Sequence, residues 1–223
     1  MLMWSFLTLP TSAALAALAY VAVTALRVCC SDCDLATSAA LRGFPRRGAY
    51  AGQVVLITGA SSGIGLALAL EFARGGAILI LSARRAPELE AVARECRAIG
   101  ATSADTAVFD ALDTASHESF VARLLAKYGR IDVLVNNAGR SQRGLVERTA
   151  HSVDVDLMAL NFLAVVSLTK AVLRPTLEAN RKLRILNTSS VAGLVGSPIS
   201  AACALVARHL KRRQLFKCSH IFL

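Results

Sequence analysis

Residues 54–65 read Val-Val-Leu-Ile-Thr-Gly-Ala-Ser-Ser-Gly-Ile-Gly, and they predict a strand, a glycine-rich turn and the start of a helix. The apolar run has the length of a strand and ends at Thr58, and apolar residues return with helical spacing after Gly65. Gly59 allows a tight turn, Gly63 has no Cβ where a pyrophosphate would approach, and Gly65 lets the helix pack closely on the strand. The free N–H groups at the helix start would face an anion, so the stretch predicts a phosphate-binding loop.

Apolar segments of strand length alternate with helical segments over residues 52–203, and this alternation predicts the fold class. The predicted strands are 53–58, 77–82, 105–110, 131–136 and 183–189, and the predicted helices are 63–75, 87–99, 115–128, 152–174 and roughly 200–215. Strands separated by helices favour right-handed βαβ units. The expected domain is therefore α/β, a Rossmann-type doubly wound parallel sheet with helices on both faces.

The N-terminal segment is the most apolar part of the chain, and no charged residue precedes Arg27. A run of this length can cross a bilayer, so we expect a single-pass membrane anchor over residues 1–28 and a linker over 29–51. A cleaved signal peptide is the alternative, although such peptides usually begin with basic residues. The first positive charges, from Arg27 onward, follow the uncharged segment 1–26, which favours a cytosolic position for the domain.

Charge and cysteine content narrow the range of partners and ligands. The net charge is +10, and half of it comes from the tail over residues 204–223, which is basic and has no acidic residue. No aromatic-rich or zinc motif accompanies this charge, so we expect no specific nucleic-acid partner. We favour a solvated tail, and nonspecific contact with anionic membrane lipid or RNA is the alternative. The six cysteines show no metal-binding spacing, and Cys29, Cys30 and Cys33 are either acylated or unmodified.

The end of the second predicted strand indicates which dinucleotide the loop would take. In NAD-binding folds an acidic residue commonly hydrogen-bonds the adenosine ribose there. Here the strand ends in Ser-Ala-Arg-Arg, without a carboxylate, and the guanidinium groups of Arg84 and Arg85 suit a 2′-phosphate. We therefore predict NADP(H) over NAD(H), the alternative being that both arginines begin a solvated loop. Asp110, after the third strand, either accepts from the adenine amino group or forms a turn or helix cap before the next helix.

Asn136-Asn137-Ala138-Gly139 ends the fourth predicted strand. Small residues at this position let the backbone approach a cofactor, and amide side chains can tie neighbouring strands together. With the glycine turn these residues form the candidate cofactor site, which consists of Thr58, Gly59, Ser61, Ser62, Gly63, Ile64, Gly65, Arg84, Arg85, Asp110, Asn137, Ala138 and Gly139.

These motifs, in this order, resemble those of the short-chain dehydrogenase/reductase family, and the details resemble its membrane-anchored branch. The matching residues are 58–65, Asp110, 136–139, Asn161 and 189–193. The resemblance implies hydride transfer between a nicotinamide cofactor and a lipophilic alcohol or ketone, such as a steroid or retinoid, in the membrane of the endoplasmic reticulum. It also implies a homodimer through helix 152–174, although packing against the sheet explains the apolar faces of that helix equally well.

The resemblance implies a catalytic set of Ser, Asn, Tyr and Lys, of which this chain carries the first two. Ser190 matches the serine that holds the substrate oxygen, and Asn161 matches the asparagine that holds a water in the proton relay. Cys203 and Ala207 stand at the positions of the proton-exchanging tyrosine and its lysine. A cysteine thiol without a neighbouring lysine is a poor substitute acid, so we expect this chain to be inactive.

Three functions therefore stay open for the chain. It is an oxidoreductase, a non-catalytic membrane-anchored nucleotide-binding or interaction protein, or a nonfunctional truncated isoform or gene model. Truncation is expected because the family's last strands and its substrate-binding loop are not recognisable after residue 203. His117 and His151 are expected to cap the starts of helices or to be solvated there.

Overall fold

The computed structural model describes residues 48–190. The predictions for the membrane anchor, most of the linker, the last predicted helix and the basic tail lie outside the described residues. The same holds for Cys203 and Ala207. The structural results below therefore concern the predicted cofactor site, Asn161 and Ser190.

In the described part of the chain, five strands form one parallel sheet with the order β3-β2-β1-β4-β5. The strands are β1 (Val54–Thr58), β2 (Ile78–Ala83), β3 (Ser103–Val108), β4 (Val133–Asn136) and β5 (Arg184–Asn187). The helices are α1 (Gly63–Arg74), α2 (Ala86–Ile99), α3 (His117–Tyr128), α4 (His151–Met158) and α5 (Ala164–Glu178). Short 3-10 turns cover Thr114–Ser116 and Val146–Arg148. The predicted α/β class with a parallel sheet is confirmed.

The sheet is covered on both faces, as a parallel sheet of apolar strands requires. Side chains alternate between the faces along each strand. On one face Val55 and Ile57 pack with Phe72 of α1 and with α2, and on the other Leu56 packs with Phe120 of α3 and with α5. This two-sided packing is the doubly wound arrangement predicted from the sequence.

The predicted helix 152–174 consists of three parts in the structure. A π-helical turn at Ala159–Leu163 joins α4 to α5, and α5 continues to Glu178. The stretch His151–Glu178 is long and apolar enough to cross a membrane by length and composition alone. Leu168 and Val172 of α5 are buried in the core of the domain, so packing against the sheet accounts for one apolar face.

Candidate functional site

A cavity of about 570 Å³ lies at the carboxyl ends of the strands. Ligands of open α/β sheets bind at this edge, beside the strand where the order reverses, which here is β1. All the predicted site residues that the structure describes line this cavity except Gly63 and Gly65. These two glycines lie in the first turn of α1.

The glycine turn between β1 and α1 depends on backbone conformations that other residues rarely adopt. Gly59 and Gly63 have φ angles of 67° and 58°, in the left-handed region. A Cβ on Gly65 would overlap the carbonyl oxygen of Gly59 and would lie 2.6 Å from Nδ2 of Asn137. The close neighbours that exclude a side chain at Gly65 are therefore Gly59 in the turn and Asn137 after β4, and not residues in the middle of β1.

The start of α1 is open to an anion. The N-cap residue Ser62 makes no side-chain hydrogen bond to the helix, and the first turn contains no acidic residue. The first N–H groups of a helix have no partner within it, and they carry the positive end of the helix dipole. The turn and the start of α1 thus provide hydrogen-bond donors for a phosphate group, and the first turn of the helix has no carboxylate that would repel it.

Thr58 connects the glycine turn to the end of β4. Its buried hydroxyl donates to the carbonyl of Val135 (3.2 Å) and accepts from the backbone N–H groups of Asn137 (3.0 Å) and Ala138 (3.1 Å). The Asn137 amide in turn donates to the carbonyls of Thr58 (3.2 Å) and Gly59 (3.3 Å). Thr58 therefore holds the turn in place with its side chain, a function that its position at a strand end did not reveal.

Amide side chains also tie β4 to β5, as the sequence predicted for this motif. Asn136 donates to the hydroxyl of Thr169 (3.0 Å) and to the side-chain oxygen of Asn187 (2.9 Å). The hydroxyl of Thr188 donates to the side-chain oxygen of Asn137 (3.1 Å). Sequence reasoning missed Thr169, Asn187 and Thr188, because nothing near them in the chain indicates which strand they face.

Arg85 lies between the end of β2 and the glycine turn. Its guanidinium donates to the hydroxyls of Ser61 and Ser62, both at 3.1 Å, and pairs with Glu88 at 3.1 Å. About half of its side chain is exposed, so a ligand in the cavity can reach the charge. Arg84 also lines the cavity. The positive charge predicted for this position is thus fixed beside the start of α1.

Asp110 adopts the local turn that was one of its two predicted roles. One of its carboxylate oxygens accepts from the backbone N–H of Leu112 at 3.0 Å, and the residue is exposed at the cavity wall. Phe109, Ala111 and Leu112 line the same wall. The contact between Asp110 and adenine stays a prediction.

Asn161 lies in the π-helical turn and binds the loop after β4. Its amide donates to the carbonyl of Arg140 (2.7 Å) and accepts from the Arg140 backbone N–H (3.0 Å). A Cβ on Gly139 would lie 3.0 Å from the Asn161 side-chain oxygen, which explains the small residue there. The Arg140 side chain pairs with Asp156 at 3.0 Å. The wider π turn thus presents an amide that fixes the backbone beside the cavity.

Ser190 lines the cavity after β5, on the other side of β1 from Arg85. The serine and the arginine therefore flank the glycine turn, one on the β4–β5 side of the sheet and one on the β2–β3 side.

The prediction that His117 caps a helix start or is solvated there is wrong. His117 is neither solvated nor a cap, because only 1% of the residue is exposed and its ring packs on Phe109 with centroids 5.1 Å apart. Its Nε2 lies 3.1 Å from the carbonyl oxygen of Ala111, and burial lowers the pKa of its imidazole. His151, by contrast, is exposed at the start of α4.

None of the described groups with a shifted pKa lines the cavity. Burial raises the pKa of the Cys96 thiol to about 11, so this cysteine is unreactive. The hydrogen bond from Lys127 (2.6 Å) lowers the pKa of Asp105, and burial raises the pKa of Tyr128, which donates to the same carboxylate at 2.6 Å. Residues 48–190 contain no cluster of three His, Cys, Asp or Glu side chains that could hold a metal ion.

The comparisons with known proteins agree with one another. The family model described as short chain dehydrogenase matches residues 53–204. Dehydrogenase/reductase SDR family member 7 of Mus musculus is 45% identical over 156 residues, which are 68% of this chain and 46% of that protein. The human protein of the same name is 44% identical over 151 residues, 66% of this chain and 44% of that protein. This chain thus spans about half the length of these relatives.

Two solved structures give the same result for the fold. A metagenomic short-chain oxidoreductase in complex with NADP is 34% identical, with a TM-score of 0.69 over 74% of this chain and 75% of that chain. An NAD+-bound xylitol dehydrogenase is 30% identical, with a TM-score of 0.68 over 72% of this chain and 62% of that chain. Neighbours of nearly equal similarity thus carry different nicotinamide cofactors.

Proposed function

The chain belongs to the short-chain dehydrogenase family, and on that basis we propose that it binds NADP(H) in preference to NAD(H) at the carboxyl ends of its strands. The observation that carries the preference is Arg85, whose guanidinium is held by Ser61 and Ser62 beside the glycine turn. A guanidinium fixed at the end of β2 favours a 2′-phosphate, and no carboxylate ends β2 to repel it.

The residues present fit a dinucleotide. The turn around Ser62 and the start of α1 would hold the pyrophosphate through backbone N–H groups, because no acidic side chain competes there. Arg85 would pair with the 2′-phosphate, and the small residues Ala138 and Gly139 let the rest of the cofactor approach the backbone. When bound, the cofactor supplies or accepts the hydride. The chain's own part is to orient it and to exclude water.

For the reaction, we propose the family's oxidation of lipophilic alcohols or reduction of ketones, with severely reduced turnover. Ser190 would hold the substrate oxygen, and Asn161 would hold the loop after β4 and a relay water. Cys203 and Ala207 at the implied tyrosine and lysine positions favour a second candidate function, a nucleotide-binding protein that does not catalyse. A single-pass anchor in the endoplasmic reticulum membrane and a homodimer belong to the same proposal.

We predict that the full chain binds NADPH but hardly reduces carbonyl compounds. Loss of the general acid–base pair costs about 10² to 10⁴ in rate. NADPH fluorescence titration of the detergent-solubilised chain gives the affinity, and consumption of NADPH with a steroid or retinoid carbonyl gives the turnover. The mouse relative, assayed in parallel, serves as the positive control. Turnover comparable with that of the relative would contradict the prediction, and a folded chain that does not bind NADPH would refute the proposed function.

Replacing Arg85 with alanine tests the cofactor preference. We expect the Kd for NADPH to rise about tenfold or more and the Kd for NADH to stay the same, because only NADPH offers the phosphate that the guanidinium binds. Fluorescence titrations with both cofactors measure this ratio. Arg94→Ala, at an exposed position of α2, is the matched control. An equal loss for NADPH and NADH would mean that Arg85 only supports the glycine turn.

A further inference from the structure

His117 is a buried polar side chain to which the proposed function assigns no role. It begins α3 directly after the 3-10 turn Thr114–Ser116 and is 1% exposed. A carbonyl oxygen only accepts hydrogen bonds, so the 3.1 Å contact with Ala111 assigns the proton to Nε2. Nδ1 then carries a buried lone pair for which the described residues offer no hydrogen-bond partner.

The unpaired Nδ1 indicates that the imidazole has a role besides packing in the core. A buried polar atom without a partner costs free energy, and phenylalanine would fill a similar volume without that cost. The polar contact that distinguishes His117 from an apolar ring is its donation to Ala111. The ring is also held in one orientation, because it packs on Phe109, which stacks on Phe120 with centroids 4.1 Å apart.

The bond to Ala111 supports the wall of the cavity formed by residues 109–112. At the front of this wall, the backbone N–H of Phe109 donates to the carbonyl of Ala83 at 3.0 Å. The bonds made by Asp110 within the wall are local, to the backbone N–H groups of Leu112 and Asp113. Two bonds hold the other end of this wall. The backbone N–H of Thr114, in the 3-10 turn, donates to the carbonyl of Leu112 at 2.9 Å, and His117 donates to the carbonyl of Ala111. The bond from His117 is the one of these two that a side chain makes, and it links the wall to α3.

We propose that His117 is a positioning residue for the adenine end of the cofactor site: its Nε2–H holds the carbonyl of Ala111 and thereby the wall over residues 109–112. This inference rests on the proposed function, because it assumes that the adenosine half of NADP(H) lies against that wall. The neutral imidazole, with its proton on Nε2, is the form that makes this hydrogen bond. A proton on Nδ1 would place a charge in the core, which burial opposes.

The test compares two ligands on the full detergent-solubilised chain. NADPH contains both halves of the cofactor, whereas 2′,5′-ADP contains only the adenosine half. His117→Phe keeps the ring and removes the donor, and we expect it to raise the Kd of both ligands by the same factor, about fivefold. His117→Gln keeps an N–H donor of similar reach and restores most of the affinity. His151→Gln, at the exposed start of α4, leaves both Kd values unchanged.

Two outcomes would overturn the inference. In one, His117→Phe melts at a lower temperature but binds both ligands like the wild type. In the other, it loses affinity for NADPH and not for 2′,5′-ADP. If His117→Phe does not fold, ¹⁵N chemical shifts of the wild-type histidines decide, and a proton on Nδ1 in place of Nε2 contradicts the inference. A wild-type chain that binds neither ligand refutes the proposed function and therefore also this inference. The results for the variants test the inference alone.

Discussion

Gly65→Ala is expected to raise the Kd for NADPH about 100-fold and to lower the free energy of unfolding by about 2–3 kcal/mol. The added methyl group would overlap the carbonyl oxygen of Gly59 and would come within 2.6 Å of the Asn137 amide nitrogen. Neither neighbour can move at low cost. Gly59 is fixed in a left-handed conformation, and the Asn137 amide already bonds the carbonyls of Thr58 and Gly59. The turn must therefore open where the phosphates would bind.

NADPH titration and urea unfolding of the full chain measure the two effects of Gly65→Ala. Gly129→Ala is the matched control, because Gly129 has a φ of 73° but a Cβ there would meet no atom within 4 Å. The control should lose about 1 kcal/mol of stability through backbone strain alone and keep its affinity for NADPH. A Gly65→Ala chain that binds NADPH within about threefold of the wild type would show that the turn tolerates the overlap.

The parts of the fold that the sequence predicted are those encoded within a few neighbouring residues. The apolar runs of β1, β2 and β4 and the glycine turn after Thr58 each contain their own signal, and their bounds agree with the prediction within two residues. The edge strand β3 was placed two residues too late. Its sequence, Ser-Ala-Asp-Thr-Ala-Val, has one buried and two exposed residues, so it lacks a strong apolar pattern. The apolar Phe109 that follows it led to a predicted strand that starts and ends too late.

The parts that were missed depend on contacts between distant segments or on the phase of a helix. The partners of Asn136 lie on α5 and β5, and no local pattern identifies them. His117 was misjudged because a polar residue at a helix start usually caps it. In the structure a 3-10 turn precedes α3, and His117 is the first residue of the buried stripe that it shares with Phe120, Val121 and Leu124. That i, i+3, i+4, i+7 spacing was the available signal.

Thr58→Val is expected to lower the free energy of unfolding by about 2–4 kcal/mol, although valine has nearly the same shape as threonine. The hydroxyl is the acceptor for the backbone N–H groups of Asn137 and Ala138, and it donates to Val135. Valine would leave both N–H groups without their acceptor at a position where the side chain of residue 58 is buried. Because Asn137 also holds the glycine turn, the affinity for NADPH should fall together with stability.

Two control variants separate the lost hydroxyl from other effects of Thr58→Val. Thr58→Ser keeps the hydroxyl and should recover most of the stability, since only a methyl group is lost. Thr176→Val removes another buried threonine hydroxyl, but that hydroxyl makes a local bond to the carbonyl of Val172 within α5, so the change should cost less than about 1 kcal/mol. Urea unfolding gives the three free energies, and hydrogen exchange at Asn137 and Ala138 reports the freed amides directly. A Thr58→Val chain as stable as Thr176→Val would contradict this prediction. The backbones of β1 and β4 alone would then hold the glycine turn, and the Thr58 hydroxyl would not couple the turn to β4.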